Sequence, residues 1–272
     1  MALLKRIVQR CFAIFGFALV RLKPKAGGEI YRGTTAGALH SLAKRGYQMH
    51  TVIDIGASDG RWSASCMQFL PNAQYLLVEA QAVHNEALMR FTQTHPNAQY
   101  VLAAAGDRVG TIYFDAGDPF GGQASHTPLP QNNIEVPVTT LDNEVAKRHL
   151  QGPFLVKFDT HGFEVPILQG ALATLENTDV IVMECYVQEL MPKSLPFAKM
   201  CQYLDDLGFR CIDFVDPVWR PYDDTFWQMD LVFIKISSAE FTYRAYEYVL
   251  RISLNLVFVC TTLGSALLVH LK

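Results

Sequence analysis

The segment Thr51-Val52-Ile53-Asp54-Ile55-Gly56-Ala57-Ser58-Asp59-Gly60 constrains this chain more than any other. A β-branched apolar run carries one acidic residue, stops at a turn with two glycines and gives way to a helix-compatible segment, 61–70. A strand that ends in a glycine loop opening a helix holds a nucleotide-like ligand at the edge of a parallel sheet. Glycine suits such a loop because it takes backbone angles that a Cβ resists, and because it lets the main chain approach the ligand. About 20 residues further on, where a ribose-binding acid is expected, Leu76-Leu77-Val78-Glu79 ends a second strand in a carboxylate. The alternative is a structural turn followed by a chance acid. It leaves the order of strand, loop, helix, strand and acid unexplained.

Two ligand classes use such a turn. Dinucleotide enzymes want G-x-G-x-x-G around a pyrophosphate, but here the third glycine of that register is Arg61. Asp54 and Asp59 flank the loop, an unfavourable setting for pyrophosphate and a favourable one for a cation. S-adenosylmethionine carries a sulfonium and an α-ammonium, so the charge pattern favours it.

The chain has 272 residues, half of them apolar, and a net charge of −3. That is enough for one substantial α/β domain and excludes wholesale disorder or an extended nucleic-acid surface. The six cysteines are scattered, with no C-x-x-C and no neighbouring histidine pair. Reduced thiols on the cytoplasmic side, no zinc site and metal-independent catalysis are expected. The ends differ from the middle. Residues 1–25 begin with apolar side chains at helical spacing and with Lys5, Arg6 and Arg10 opposite, which reads as a basic amphipathic helix. Residues 241–272 include an uncharged run, apart from His270, close to the ~20 residues that cross a bilayer. Tyr243, Tyr246, Tyr248 and Arg251 precede it as an interfacial belt would. Attachment to the cytoplasmic face of a membrane, peripheral or by one C-terminal span, is the expectation. Burial of the tail in a domain or dimer interface is the alternative.

Between the ends, 36–237 reads as one domain. Strands are expected at 51–55, 74–78, 99–103, 111–114, 135–138, 154–158, 180–183, 209–214 and 229–235. Helices are expected at 36–45, 61–70, 84–94, 143–150, 165–175 and 197–207. The glycine-, proline- and asparagine-containing stretch 115–133 reads as a long functional loop. Alternating strands and helices predict a mostly parallel sheet with helices on both faces and an antiparallel closing pair. Ligands in such sheets lie beyond the carboxyl ends of the strands, where Asp54, Glu79, Ala104, Asp159 and Glu184 all fall.

The second dense signal is Leu155-Val156-Lys157-Phe158-Asp159-Thr160-His161-Gly162-Phe163-Glu164. Together with Val138-Thr139-Thr140-Leu141-Asp142, Ile167-Leu168-Gln169-Gly170-Ala171 and Met229-Asp230-Leu231-Val232-Phe233, it resembles the FkbM-type methyltransferase family, from Val52 to Ile234. The resemblance implies a class I methyltransferase fold, Rossmann-like with a seven-stranded sheet, and methyl transfer from S-adenosylmethionine to an oxygen of a sugar or natural-product scaffold. It implies that Asp54, Gly56, Ala57, Ser58, Asp59 and Gly60 form the cofactor loop and that Glu79 binds ribose. Ala80, Ala104 and Asp159 complete that site. Many members have a second acid where this chain has His161.

An imidazole exchanges protons in the neutral range, so His161 is the candidate general base, with Asp159 orienting it or taking the proton itself. Capping or a loop hydrogen bond is the plainer role for His161. Ser125 and His126, in the small-residue stretch Gly121-Gly122-Gln123-Ala124-Ser125-His126, and Glu184 are candidates for binding the acceptor. The expected acceptor is a hydroxylated small molecule, glycan or lipid-linked sugar. Two other functions are open to the sequence: a membrane-tethered binding module without turnover, and a nicotinamide-dependent oxidoreductase.

Overall fold

The structure is a computed structural model that describes residues 31–244. The basic segment 1–25 lies outside the described residues, as does the C-terminal apolar run from 245 onward. Among the described residues no helix is long and apolar enough to cross a membrane. The chain forms two compact units, Met1–Ile236 and Ser237–Lys272. Described residues of the second unit include one 3-10 turn, Ala239–Phe241.

The first unit opens with α1 (Thr35–Lys44), capped by Thr34, whose side chain accepts from the Gly37 amide at 3.1 Å. Then come β1 (Thr51–Ile55), α2 (Arg61–Met67), β2 (Gln74–Glu79), α3 (Asn85–Thr94) and β3 (Ala98–Leu102). A small strand group follows: β4 (Ala104–Ala105), β5 (Gly110–Asp115), β6 (Gln123–Ser125) and β7 (Asn133–Thr139). The chain then returns through α4 (Leu141–Arg148), β8 (Phe154–Phe158), α5 (Glu164–Gln169), α6 (Leu172–Glu176) and β9 (Thr178–Tyr186). It closes with α7 (Phe197–Asp206), β10 (Phe209–Trp219) and β11 (Phe226–Lys235).

Seven strands make the main sheet in the order β10-β11-β9-β8-β1-β2-β3. β3, β2, β1, β8 and β9 run parallel, whereas β11 is antiparallel to both β9 and β10. This is the mostly parallel sheet with an antiparallel closing pair expected of a class I methyltransferase. Every residue of β1 and β8 is buried, which is why these strands read as apolar runs broken only by Thr51, Asp54 and Lys157. From β1 the chain steps outward to β2 and β3, and from β8 it steps the other way. Right-handed crossovers therefore put α2 and α3 on one face and α5, α6 and α7 on the other. The direction changes between β1 and β8, and a crevice opens at the carboxyl ends there.

Two details depart from the sequence reading. The expected helix 165–175 is two helices that meet at Gly170-Ala171. A Cβ on Gly170 would sit 2.0 Å from the Gly106 carbonyl oxygen, so the main chains touch there and the helix breaks. Asp142 starts the second helix by accepting from the Ala173 and Thr174 amides at 3.1 and 2.8 Å. The stretch 115–133 is not wholly loop, since β6 forms within it and pairs with β5. It belongs to a second sheet, β4-β7-β5-β6, whose Ile112, Phe114, Ala124, Val136 and Val138 join the main core.

Candidate active site

The glycine loop is locked to the tip of β8. Gly56 has φ +72°, and a Cβ there would meet the Asp159 carbonyl oxygen at 2.0 Å. The Asp159 amide donates to Ile55 O at 3.1 Å, and the Gly56 and Ala57 amides both donate to Val78 O. Strand tips β1, β2 and β8 are thus bonded to one another through the loop. Glu79 Oε2 accepts from the Ser58 amide and Oε1 from the Gln81 amide, both at 2.7 Å. Burial raises its pKa above the ordinary carboxylate value despite those bonds. Each oxygen keeps a lone pair for a ligand hydroxyl. Ser58 Oγ is buried without a hydrogen-bond partner among the described residues.

Above these tips lies a cavity of about 610 Å³, within the usual range for small-molecule and cofactor sites. Gly56, Ala57, Ser58, Glu79 and Ala80 form one side. Ala104, Phe120 and Gly122 face it from the small sheet and its loop. Gly122 leaves room where a Cβ would press within 2.4 Å of the Phe114 ring. Gln81 Nε2 donates to the carbonyls of Asp118 and Pro119 at 2.9 and 3.0 Å, tying that loop to the tip of β2.

At the other end Lys157 is 4% exposed and bridges two acids. Its Nζ donates to Asp159 Oδ2 at 2.9 Å and lies 3.4 Å from Asp54 Oδ1. Burial opposes its charge, but Asp54 and Asp159 outweigh it, so Lys157 stays protonated. Asp159 loses solvation too, and Lys157 and His161 still hold its pKa below the ordinary value. His161, at φ +51°, turns its ring toward Asp159. Its Nδ1 lies 3.2 Å from the Gly122 carbonyl, which can only accept, so Nδ1 carries the hydrogen. Nε2 then faces Asp159 Oδ1 at 3.4 Å and Glu184 Oε2 at 3.5 Å. Glu184 accepts from Tyr186 Oη at 2.5 Å and from Gln228 Nε2. Burial first, and Asp159 next, push the Glu184 carboxyl up to about 9. The ligand atoms of Asp159, His161 and Glu184 lie within 4.8 Å of one another, close enough to share a proton or to grip a divalent cation.

The family model described as "Methyltransferase FkbM domain" matches residues 54–211, more than half of the chain. The chain belongs to the FkbM methyltransferase family. Among solved structures it is similar to methyltransferase FkbM from Methylobacillus flagellatus, at 14% identity and TM-score 0.46, over 77% of this chain and 46% of that one. It therefore spans about half the length of that relative. Precorrin-6y C5,15-methyltransferase from Geobacter metallireducens is 13% identical, with TM-score 0.41, over 77% of this chain and 92% of that one. The 1,6-didemethyltoxoflavin-N1-methyltransferase of Burkholderia thailandensis, solved with its substrate and S-adenosylhomocysteine, is 13% identical, with TM-score 0.42, over 74% and 76%. No protein of curated function matches the sequence.

In this family member the sequence-predicted residues part company. Gly56, Ala57, Ser58, Glu79, Ala80, Ala104, Asp159 and His161 all line the cavity. Asp54 lies beneath it, fully buried, accepting from Ser63 Oγ at 2.7 Å. Asp59 turns outward and is gripped by Arg61 at 2.8 and 2.6 Å, which holds its carboxyl below the usual range. Gly60 starts α2 and packs on Phe91. The expected pairing of Asp54 and Asp59 around a cationic ligand is therefore corrected: Asp59 is paired with Arg61, and Asp54 shares Lys157 with Asp159. The carboxylates that do face the cavity are Glu79, Asp159, Asp216 and Asp230. Ser125 and His126 lie off its wall. The Ser125 hydroxyl bonds within its own turn, and His126 meets Arg108, Asp107 and the Phe163 ring. Glu184 is not on the wall itself and reaches the site through His161 and Asp159. Sequence reasoning missed Lys157, Asp216, Asp230, Trp62 and Thr35. A charged residue inside an otherwise apolar strand, as at Lys157 and Asp230, was the signal available for two of them.

Proposed function

We propose that this chain transfers a methyl group from S-adenosylmethionine to a hydroxyl of a sugar, glycolipid or related secondary metabolite. One observation carries the choice of a hydroxyl acceptor. His161, whose Nδ1 donates to the Gly122 carbonyl, holds Nε2 at the cavity wall beside Asp159. A base so placed is what a hydroxyl needs and what an already nucleophilic amine does not.

The residues present fit the cofactor. Glu79 offers two oxygens for a ribose diol, the orphaned Ser58 Oγ needs a partner, and Gly56 and Gly122 leave space beside them. When bound, the cofactor supplies an activated methyl on a good leaving group. The chain's own work is then alignment and proton uptake. Asp159, held by Lys157, fixes the electrostatics at the tip of β8. His161 Nε2 takes the acceptor's proton, and Asp159 Oδ1, 3.4 Å away, stabilises the imidazolium that results. Phe120 and Gly122, from the 115–133 stretch, line the same cavity.

The reading extends to a membrane surface, supported by the basic amphipathic sequence at 1–25 and the apolar run near the C-terminus. Both would bring the site to lipid-linked acceptors. The deciding assay incubates the protein with methyl-labelled S-adenosylmethionine and fractionated cell lipids and glycans. Label in a hydroxylated fraction, with turnover reduced about 10²-fold or more in His161→Ala and cofactor binding nearly normal, is the expected result. Cofactor binding without transfer to any fraction would leave a binding module instead.

A further inference from the structure

Strand order fixes which end of the cavity is left for the acceptor. Along the sheet edge the tips run β2, β1, β8, β9, β11, β10. With the cofactor over Glu79 and Gly56, and His161 beside the transferred methyl, the acceptor lies over β9, β11 and β10. The side chains facing the cavity there are Asp230 and Asp216, with Thr34, Thr35 and Trp62 completing the wall.

That end is short of positive charge. The two basic side chains on the cavity wall, besides the imidazole of His161, are Arg61 and Lys157. Arg61 is held by Asp59, and Lys157 by Asp159 and Asp54. Among the described residues neither forms an ion pair with Asp230 or Asp216, although Lys157 attracts Asp230 at longer range. Asp216 Oδ2 accepts from Thr35 N at 2.9 Å and Thr35 Oγ1 at 2.6 Å, which are neutral donors. Asp230 is half-buried, stands opposite Glu184 in the ladder, and has no hydrogen-bond or ion-pair partner among the described residues. Burial first, with Asp159 and Asp216 adding repulsion against the pull of Lys157, pushes its carboxyl up to about 7. A partly buried carboxylate without a donor is costly, and in a substrate cavity the missing donor can arrive with the ligand. Trp62 adds a complementary group, because its Nε1 is buried without a hydrogen-bond partner among the described residues and can donate to an acceptor oxygen.

We infer that the acceptor carries a protonated amine close to the hydroxyl that is methylated, paired with Asp230 and steadied by Asp216, and that phosphorylated acceptors are refused. This rests on the methyltransferase reading and narrows it to amino-sugar-like molecules. An anion at the same place would meet Asp230, Asp216 and Asp159 together, with no unpaired Lys or Arg on the wall among the described residues to offset them.

The test uses the full chain saturated with S-adenosylhomocysteine, so that the cofactor's own ammonium is already seated. Saturation-transfer NMR then compares the methyl glycosides of glucosamine, glucose and glucose 6-phosphate at neutral pH. The expected result is binding of the glucosaminide about ten-fold tighter than the glucoside, with no signal from the phosphate. Asp230→Asn should erase that preference while calorimetry shows unchanged affinity for S-adenosylhomocysteine. Equal or tighter binding of the glucoside, binding of the phosphate, silence from all three sugars, or a preference that survives Asp230→Asn would each overturn the inference. Failure to bind S-adenosylhomocysteine would overturn the methyltransferase reading first, and is seen separately by calorimetry.

Discussion

Gly56 shows how tightly one position can be fixed by its neighbours. Its left-handed φ and the 2.0 Å approach of the Asp159 carbonyl exclude any side chain. Gly56→Ala should therefore lose roughly 2 kcal/mol or more and weaken S-adenosylhomocysteine binding. Thermal unfolding and calorimetry check this, and an unchanged melt with unchanged affinity would contradict it. Glu184 gives the clearest pH dependence. Its carboxyl, ordinarily near 4.5, is pushed up to about 9 in the fold by burial and by Asp159, so the folded state holds the proton more tightly. Stability from this group is complete below about 4.5, declines as pH rises, and is lost as pH passes through about 9. Asp230, raised to about 7 from 3.8, adds a slope of the same sign at lower pH. Glu184→Gln, which places a donor where the protonated oxygen was, should flatten the fall in melting temperature between pH 6 and 9. A slope equal to the wild type's would remove Glu184 as its source.

Among the elements, the break between α5 and α6 sets local propensity against contact. By propensity alone, Gly170→Ala should favour a continuous helix by about 1 kcal/mol. The Gly106 carbonyl stands where the new methyl would go, so the substitution should instead destabilise, by at least about 1–2 kcal/mol in urea unfolding. A stabilised variant would show that the loop around Gly106 yields easily. The same contact explains why the sequence reads 165–175 as one helix. Its apolar spacing is helical throughout, and the breaker is a main-chain oxygen some sixty residues away in sequence, which no local pattern records. The strand tips were more legible. An apolar run ending in Asp54, Glu79 or Asp159 announces both a buried strand and its carboxyl end. What each acid touches was not legible, because Asp54 is buried beneath the cavity on Lys157 and Ser63 while Asp59 turns outward onto Arg61, and no local pattern records which side chain reaches which acid.

At the scale of the whole molecule, the alternation of strands and helices predicts the sheet, and the crossover rule with the reversal at β1 predicts where its crevice opens. The second sheet was harder to read, since β6 is only three residues long and gains its strand character from pairing with β5. The chain's ends belong to this scale as well. If the C-terminal run anchors the protein, a chain ending at Ser237 should no longer sediment with lipid vesicles while keeping its affinity for S-adenosylhomocysteine. Continued sedimentation would assign the attachment to residues 1–25. The central claim is that the cavity at the β1–β8 switch point seats an adenosyl cofactor through the glycine loop and Glu79. Calorimetric titration of the full chain with S-adenosylhomocysteine, and separately with NAD, tests it most directly. One site for S-adenosylhomocysteine, weakened about ten-fold or more by Glu79→Ala, and none for NAD, is the predicted result. Affinity for NAD alone, or adenosyl binding indifferent to Glu79→Ala, would contradict it.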